Sequence, residues 1–139
     1  MSTKVRFPYK VLELDAGRGM LMPILPLRLS ANEKHVEAQA LLDTGSAVNV
    51  LPFALGEALG FNWNSNSMKV VLTGNLSRHP ARAIVLDGLV EGFKSARLAF
   101  AWSRSDAVPC ILGQVNFFDE FDACFFRAKF QFELRSKRH

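Results

Sequence analysis

The segment 40-ALLDTGSAVNVLP-52 places an ionisable carboxylate and two hydroxyl groups inside an otherwise apolar stretch. Small and apolar residues lead up to Asp43, and apolar residues resume directly after Ser46. Asp-Thr-Gly alone is ordinary turn chemistry, because an aspartate side chain readily accepts hydrogen bonds from nearby backbone. The apolar flanks nevertheless predict a turn in the interior, where an isolated carboxylate is costly unless it is hydrogen-bonded, paired or sharing a proton.

The neighbouring sequence offers this carboxylate no partner of opposite charge, because no lysine or arginine lies between Lys34 and Lys69. Sharing a proton with a second carboxylate is therefore an attractive solution. Gly45 would permit either a close approach of the backbone to Asp43 or a positive φ. The sequence also permits a hydrogen bond from the Ser46 hydroxyl to Asp43, which would favour the ionised carboxylate.

Length and composition predict one ordinary globular domain over residues 1–139, since 49% of the residues are hydrophobic and 22% are charged. The apolar stretches are far shorter than the roughly 20 residues that cross a bilayer, which predicts no membrane association. The N-terminus, MSTKVRFPYK, lacks the apolar region of a secretory signal, so a cytoplasmic location is expected.

Cys110 and Cys124 have apolar neighbours and are expected to be buried free thiols. Together with three scattered histidines, these two cysteines predict no metal and no cofactor.

The formal net charge of +4 arises after Cys124, where five basic residues oppose one acidic residue. The basic tail, 135–139, is typical of a solvated terminus. A small basic nucleic-acid binder stays open as a reading that rests on this tail alone. The sequence does not favour nucleic acid as a partner, because no stripe of basic residues interleaved with exposed aromatics accompanies the tail.

Alternation of apolar and polar residues with a period of two dominates the chain and predicts half-buried strands. These strands are 24–30, 36–42, 68–73, 81–90, 95–102 and 126–134. Short helices are predicted at 52–59, with Pro52 in the first turn and Gly60 past the end, and at 116–121, with Asn116 as N-cap. Many short strands with one or two short helices predict an all-β fold, a single small closed β-barrel.

The segment 40–52 resembles the catalytic loop of the retropepsin-type aspartic peptidases, with a small apolar strand, Asp-Thr-Gly-Ser, a valine at position 50 and Pro52 opening a helix. The family's second element appears at Ile111-Leu112-Gly113, followed by a short helix and a final strand in the family's order. The resemblance covers residues 22–134 as the core of the domain. It implies a barrel of the retropepsin type.

The resemblance also implies a set of site residues. It makes Asp43 the catalytic group, supported by the rest of its loop at Thr44, Gly45 and Ser46. A substrate-binding flap is implied at Thr73, Gly74, Asn75 and Leu76, and a pocket floor at Ile111, Leu112 and Gly113. Gln114 stands where the family often has arginine or asparagine, so no ion pair from this position is expected to brace the active-site loop.

Because the chain contains one Asp-Thr-Gly, the resemblance implies a symmetric homodimer in which two Asp43 carboxylates activate a water. Such a dimer would hydrolyse a peptide bound in an extended conformation. The C-terminal alternation fits a terminal sheet that joins two subunits, and equally an edge strand within one barrel. A catalytically weak or inactive dimerisation or peptide-binding module is the alternative, because a fold does not by itself imply activity.

Overall fold

The structure is a computed structural model that describes residues 3–15, 17–65, 69–70 and 79–137. The strands are β1 (Lys4–Pro8), β2 (Lys10–Asp15), β3 (Arg18–Met22), β4 (Ile24–Ala31), β5 (Lys34–Leu42), β6 (Asn49–Leu51), β7 (Lys69–Val70), β8 (Ala81–Leu89), β9 (Ala96–Ser103), β10 (Ile111–Leu112), β11 (Phe121–Phe126) and β12 (Gln131–Ser136). The helices are α1 (Phe53–Ala58) and α2 (Phe117–Glu120), and one 3-10 turn spans Arg127–Lys129. The predicted all-β class is confirmed.

Six strands close into a ring in the order β4-β5-β10-β6-β9-β8, and the ring is completed by pairing between β4 and β8. β7 extends the sheet beside β8. The predicted hairpin that leads to Asp43 is present as β4 and β5, which pair from Ile24↔Leu41 to Ala31↔Lys34. Asn32 and Glu33 make its two-residue turn, both with positive φ, as a tight hairpin with right-handed strand twist requires.

The barrel core is filled by the faces that the sequence alternation predicted. Leu25, Leu27 and Leu29 of β4 are buried, and the large apolar residues of β9 are buried in the same core cluster. Each such leucine contributes about 1.5–3 kcal/mol relative to an exposed position. Burial of alternate residues on these strands therefore fixes their register, because a shift of one residue would expose the whole apolar set.

Both predicted helices are present. The first ends as expected, but the second begins without the expected side-chain cap. Gly60 follows α1 with a φ of +84°, a conformation that suits glycine. Asn116 is the N-cap residue of α2, as predicted, but its side chain makes no capping hydrogen bond. That side chain instead bonds the backbone of β9, accepting from Ala99 N at 2.9 Å and donating to Arg97 O at 2.8 Å.

The C-terminal alternation does not form one strand, so that prediction is wrong. Phe130 adopts a left-handed conformation after the 3-10 turn, and the chain folds back so that β11 and β12 pair antiparallel. The expected apolar face is therefore interrupted: Phe130 is 44% exposed, whereas Phe132 and Leu134 are fully buried. β12 is the central strand of a separate sheet, β1-β12-β11, and not an edge of the barrel.

Strands β1, β2 and β3 were not predicted from the sequence. β2 and β3 pair as a hairpin. Most of their described side chains are exposed, including Val11 and Met20, so burial does not mark these strands in the sequence. β1 pairs with β12 at the other end of the chain, from Lys4↔Arg135 to Pro8↔Gln131, and local sequence does not encode such a partner.

The outer face of the terminal sheet carries a cluster of opposite charges around Glu133. Its carboxylate accepts hydrogen bonds from Arg6 at 3.2 Å and Arg135 at 2.9 Å, and its side chain is only 6% exposed. Arg135 and Lys137, assigned from the sequence to the basic tail, are both paired, the latter with Glu120 at 3.4 Å. Hydrogen bonds from Arg135, then Arg6, hold the pKa of Glu133 below its usual range.

The two cysteines differ, which corrects the expectation that both are buried. Cys110 is 5% exposed beside β10, whereas Cys124 is exposed on the same outer face as Glu133, its partner in the β11–β12 register. Burial raises the pKa of the Cys110 thiol to about 12.

In the described ranges no group of histidine, cysteine and acidic residues could hold a metal, and no helix there is long and apolar enough to span a membrane.

We predict that Glu133→Gln lowers the urea midpoint of unfolding, and that the difference from the parent protein depends on pH. Because the folded-state pKa of Glu133 is lowered, its contribution is complete above the ordinary glutamate pKa of about 4.3 and is lost as the pH falls through the folded-state value. Urea titrations should therefore show a difference in unfolding midpoint that stays constant from neutral pH down to the ordinary glutamate pKa. At lower pH the difference should shrink. Glu37→Gln is the control, because its pair with Arg28 is exposed on both sides. A difference that did not change with pH would contradict the prediction.

We also predict that one thiol per folded chain reacts rapidly with an aromatic disulfide reagent near neutral pH. The reacting group is a thiolate. The reagent can reach exposed Cys124, whereas burial and a raised pKa protect the Cys110 thiol. Cys124→Ser should remove the fast phase, and Cys110→Ser should leave it intact. Two fast thiols in the folded protein would be inconsistent with this packing.

Candidate active site

Asp43 lies just past the end of β5, in a turn that hydrogen-bonds its own carboxylate. The backbone N–H of Gly45 donates to Asp43 Oδ1 at 3.0 Å, and Ser46 N donates to the backbone oxygen of Asp43 at 3.1 Å. A Cβ at position 45 would lie 3.3 Å from Asp43 Oδ1, so glycine serves the close approach here. Gly45 is not among the described glycines with positive φ. Gly45 therefore allows the close approach of the backbone to Asp43, and a positive φ is not the reason for a glycine here.

The turn reaches the surface of the single chain, which corrects the expectation of a fully interior loop. Leu42 and Val50 on either side are buried, but Asp43 is half-buried and Thr44 and Gly45 are exposed. The apolar flanks thus anchor the turn in the barrel while its tip faces outward. The carboxylate forms no ion pair with any other described residue.

The Ser46 hydroxyl does not bond the carboxylate, so the suggested hydrogen bond to Asp43 is absent. It donates instead to the backbone oxygen of Val48 at 2.7 Å, within the same loop. Ser46 therefore rigidifies the backbone that follows the aspartate. Its contribution to the site is structural support of the loop.

Strand β10 brings the second predicted motif directly against the Asp43 loop. It lies between β5 and β6, parallel to the former and antiparallel to the latter. Asp43 N donates to Leu112 O at 3.0 Å. Beyond the strand, Gln114 N donates to Ser46 O at 2.9 Å, which continues the pairing along the loop. The two motifs, distant in sequence, therefore form one structural unit.

The three residues predicted as pocket floor face different surroundings. The Leu112 side chain is fully buried in the main core of the barrel. Ile111 lies on the other side of β10, in a small cluster with Val50, Ala81, Ala101 and Val108. The predicted flap residues Thr73, Gly74, Asn75 and Leu76 lie outside the described part of the chain.

Gly113 sits where two loops cross, and its lack of a side chain is what allows the crossing. A Cβ there would overlap the backbone oxygens of Val48 and Ser46. These atoms belong to the backbone and cannot move aside as a flexible side chain would. Glycine at this position is therefore a packing requirement of the Asp43 loop.

The buried Asn49, which was not predicted as a site residue, fastens this crossing to β9 together with the half-buried Asn116. Asn49 Oδ1 accepts a hydrogen bond from Gly113 N at 2.8 Å, and Asn49 Nδ2 donates to Ala99 O at 2.9 Å. Asn49 Nδ2 also lies 3.3 Å from Asn116 Oδ1. The sequence signal for Asn49 is a polar residue inside the apolar run 47–51, the same kind of pattern that singles out Asp43.

Gln114 braces the active-site loop with a neutral hydrogen bond. Its Nε2 donates to the backbone oxygen of Thr44 at 2.8 Å. The absence of an ion pair from this position, expected from the sequence, therefore does not leave the loop without support. Because the bond goes to the backbone of Thr44, the hydroxyl of that residue remains available at the surface.

We predict that Asn49→Ala destabilises the protein by about 1–3 kcal/mol, because it leaves the buried N–H of Gly113 without its partner and removes the part-buried bond to Ala99 O. Urea unfolding followed by circular dichroism would measure the loss. Asn64→Ala, at an exposed loop position, is the matched control and should change stability by no more than about 0.5 kcal/mol. Equal effects of the two substitutions would show that the Asn49 network is dispensable.

No protein-family model and no curated protein sequence matches the chain. Among solved structures, the chain is similar to a retropepsin-like aspartic protease from Rickettsia conorii, with a TM-score of 0.65 and 14% sequence identity. The superposition covers 98% of this chain and 92% of that one. The fold expected from the two sequence motifs is thereby confirmed: this chain has the fold of the retropepsin-like aspartic proteases.

Proposed function

We propose that this protein is an aspartic endopeptidase that acts as a symmetric homodimer. The observation that carries the proposal is the Asp43 turn, whose carboxylate is held by Gly45 N and whose tip faces outward from a rigid crossing of loops. The shared fold with a retropepsin-like aspartic protease supports it. One carboxylate cannot serve as acid and base at once, so the second would come from another copy of the chain.

Several features of the loop favour such a pairing. Thr44 and Gly45 are exposed beside Asp43, so a twofold axis at this point would bring two identical turns together without burying a bulky side chain. Gln114 fixes the Thr44 backbone and leaves its hydroxyl free to bond across the axis. The apolar anchors on each side would keep both turns in register.

In the proposed reaction, the two carboxylates share one proton and hold a water between them. The ionised Asp43 takes a proton from the water as its oxygen attacks the scissile carbonyl carbon. The protonated Asp43 of the partner subunit donates its proton to the carbonyl oxygen. Collapse of the tetrahedral intermediate then breaks the C–N bond: the leaving nitrogen takes the proton held by the first Asp43, and one hydroxyl of the intermediate returns its proton to the partner subunit's Asp43. The products are a carboxylic acid and an amine, and the pair again shares one proton.

The substrate of this enzyme would be a peptide in an extended conformation. The segment with Thr73, Gly74, Asn75 and Leu76 would close over it as a flap, and its backbone would pair with the peptide. Ile111, Leu112 and Gly113 would support the floor beneath, with the Leu112 side chain anchored in the barrel core. No metal or other cofactor takes part in this proposal, since the two carboxylates supply both acid and base.

We predict that Asp43→Asn lowers kcat for cleavage of a peptide library by at least about 10³-fold, because it removes the acid–base group. The amide oxygen can still accept the hydrogen bond from Gly45 N, so the urea midpoint should change little. Asp87→Asn removes a carboxylate from an exposed pair with Arg97 and should leave cleavage unchanged. Undiminished cleavage by Asp43→Asn protein would refute the enzyme and favour a peptide-binding module.

Mixing subunits tests the shared site directly. If both carboxylates are needed, an equal mixture of parent and Asp43→Asn chains, allowed to exchange, should retain about a quarter of the parent activity, because mixed dimers are inactive. Retention of half the activity would mean that each chain works alone. Sedimentation at the same protein concentration should show the dimer in both pure samples.

A further inference from the structure

Strand β11 lies at an open edge of the terminal sheet. The sheet has the order β1-β12-β11, so in the described part of the chain β11 pairs only with β12. Neighbouring residues of an antiparallel strand direct their backbone groups to opposite sides, so every second residue of β11 offers its N–H and C=O to a further strand. Such an edge is a template for pairing with another chain.

Two hydrogen bonds show which residues of β11 face outward. Ser136 N donates to Thr3 O at 3.1 Å, and Lys137 N donates to Glu120 O at 3.0 Å. The even-numbered residues of β12 therefore face β1, and the odd-numbered ones face β11. Through the β11–β12 register, the residues of β11 that bond β12 are Asp122, Cys124 and Phe126. The backbone groups that point to the open edge belong to Phe121, Ala123 and Phe125.

The other edge of the same sheet, β1, is protected against strand addition. By the same alternation, the outward residues of β1 are Lys4, Arg6 and Pro8. Two cations, and a proline that has no N–H, oppose pairing there. β11 contains no lysine, arginine or proline, and its only charged residue is Asp122. The chain thus blocks one edge of the sheet and leaves the other open.

Exposed aromatic side chains accompany the open edge. Phe125 is 38% exposed on β11, and Phe130 is 44% exposed just after the turn that follows. The start of the strand is fixed to the core, since the rings of Phe121 and Phe117 stack at a centroid distance of 4.8 Å. A further strand at this edge would cover Phe125, so burial of apolar surface would add to the backbone hydrogen bonds.

We propose that β11 pairs antiparallel with β11 of a second copy of the chain, centred on Ala123, and so joins two three-stranded terminal sheets into one sheet. This inference rests on the proposed function, which requires a second copy. A twofold axis at Ala123 places the outward groups of one strand opposite those of the other.

Pairing about Ala123 satisfies the free backbone groups of both strands. The two Ala123 residues exchange N–H···O bonds, and Phe125 N donates to Phe121 O of the partner subunit on each side. The Phe121 N–H needs no further partner, because it already donates to Phe117 O at the end of α2. On the outer face Asp122 lies opposite Cys124 of the partner subunit, so no like charges meet directly.

Helix α2 connects this edge to the Asp43 loop. Gln114 bonds the loop, α2 follows, and β11 begins directly after the helix. Phe118 N donates to Gly113 O at 3.2 Å, which ties α2 to the crossing of loops. Because a symmetric dimer of two chains has one twofold axis, the axis that pairs the two acidic turns must also pass Ala123.

The first test blocks the open edge and spares the rest of the sheet. Ala123→Pro removes an N–H that points away from β12, so the β11–β12 ladder stays intact. Sedimentation equilibrium should show a dimer for the parent protein. The dissociation constant should rise at least about tenfold in Ala123→Pro, because symmetry removes two hydrogen bonds with one substitution.

Lys4→Pro is the matched control, since it makes the same backbone change at the protected edge and should leave the dissociation constant unchanged. Circular dichroism should show that both variants are folded. An equal dissociation constant in the parent protein and Ala123→Pro, or a parent protein that stays monomeric, would overturn the inference.

A covalent test does not depend on tolerance of proline. Asp122→Cys places a thiol opposite Cys124 of the partner subunit, at the Cα separation of about 4.5 Å typical of such pairs, which suits a disulfide. Mild oxidation should give a species of doubled mass on a non-reducing gel. Lys4→Cys, on the same face at the other edge, should remain a single chain. Equal crosslinking of the two variants would contradict pairing through β11.

Activity of the linked dimer separates this inference from the proposed function. If β11 joins the catalytic dimer, oxidised Asp122→Cys protein should cleave peptides with a specific activity that does not fall on dilution, unlike the parent protein. A linked dimer that is inactive until it is reduced would overturn the inference and leave the enzyme intact. Selective linkage in a protein that cleaves no peptide would refute the proposed function but support the pairing of β11.

Discussion

The structure depends on one close crossing, where Gly113 passes over the backbone oxygens of Ser46 and Val48. Strand β10 can enter between β5 and β6 only because this position carries no side chain. Once there, it closes the barrel and receives the hydrogen bond from Asp43 N. The same contact therefore completes the fold and sets the orientation of the acidic turn, so the stability of the barrel and the geometry of the candidate site are not separable.

Local chemistry explains which parts of the fold were predictable. The β4–β5 hairpin and helix α1 follow from alternation, from the turn at Asn32 and from Gly60, all of which act over a few residues. The terminal sheet could not be read in this way, because the left-handed Phe130 reverses the chain inside an unbroken alternating pattern. Strand β1 is defined by a partner at the other end of the chain.

In the candidate site, too, some residues can be identified from local sequence and others only from contacts made in the fold. Asp43 and Ile111-Leu112-Gly113 stand out because their residue types and order resemble a known loop. Asn49 acts through partners 50 and 64 residues away, Ala99 and Gly113, and a lone asparagine in an apolar run does not reveal them.

Strand β12 has one further consequence. It is flanked on both sides by strands of its own chain, β1 and β11, so the backbone groups of this central strand are satisfied within a single molecule. The pairing of β12 therefore requires no second copy of the chain. Association of two copies, as proposed, would be a separate mass-action step, so the fraction of paired chains would rise with the concentration of the protein.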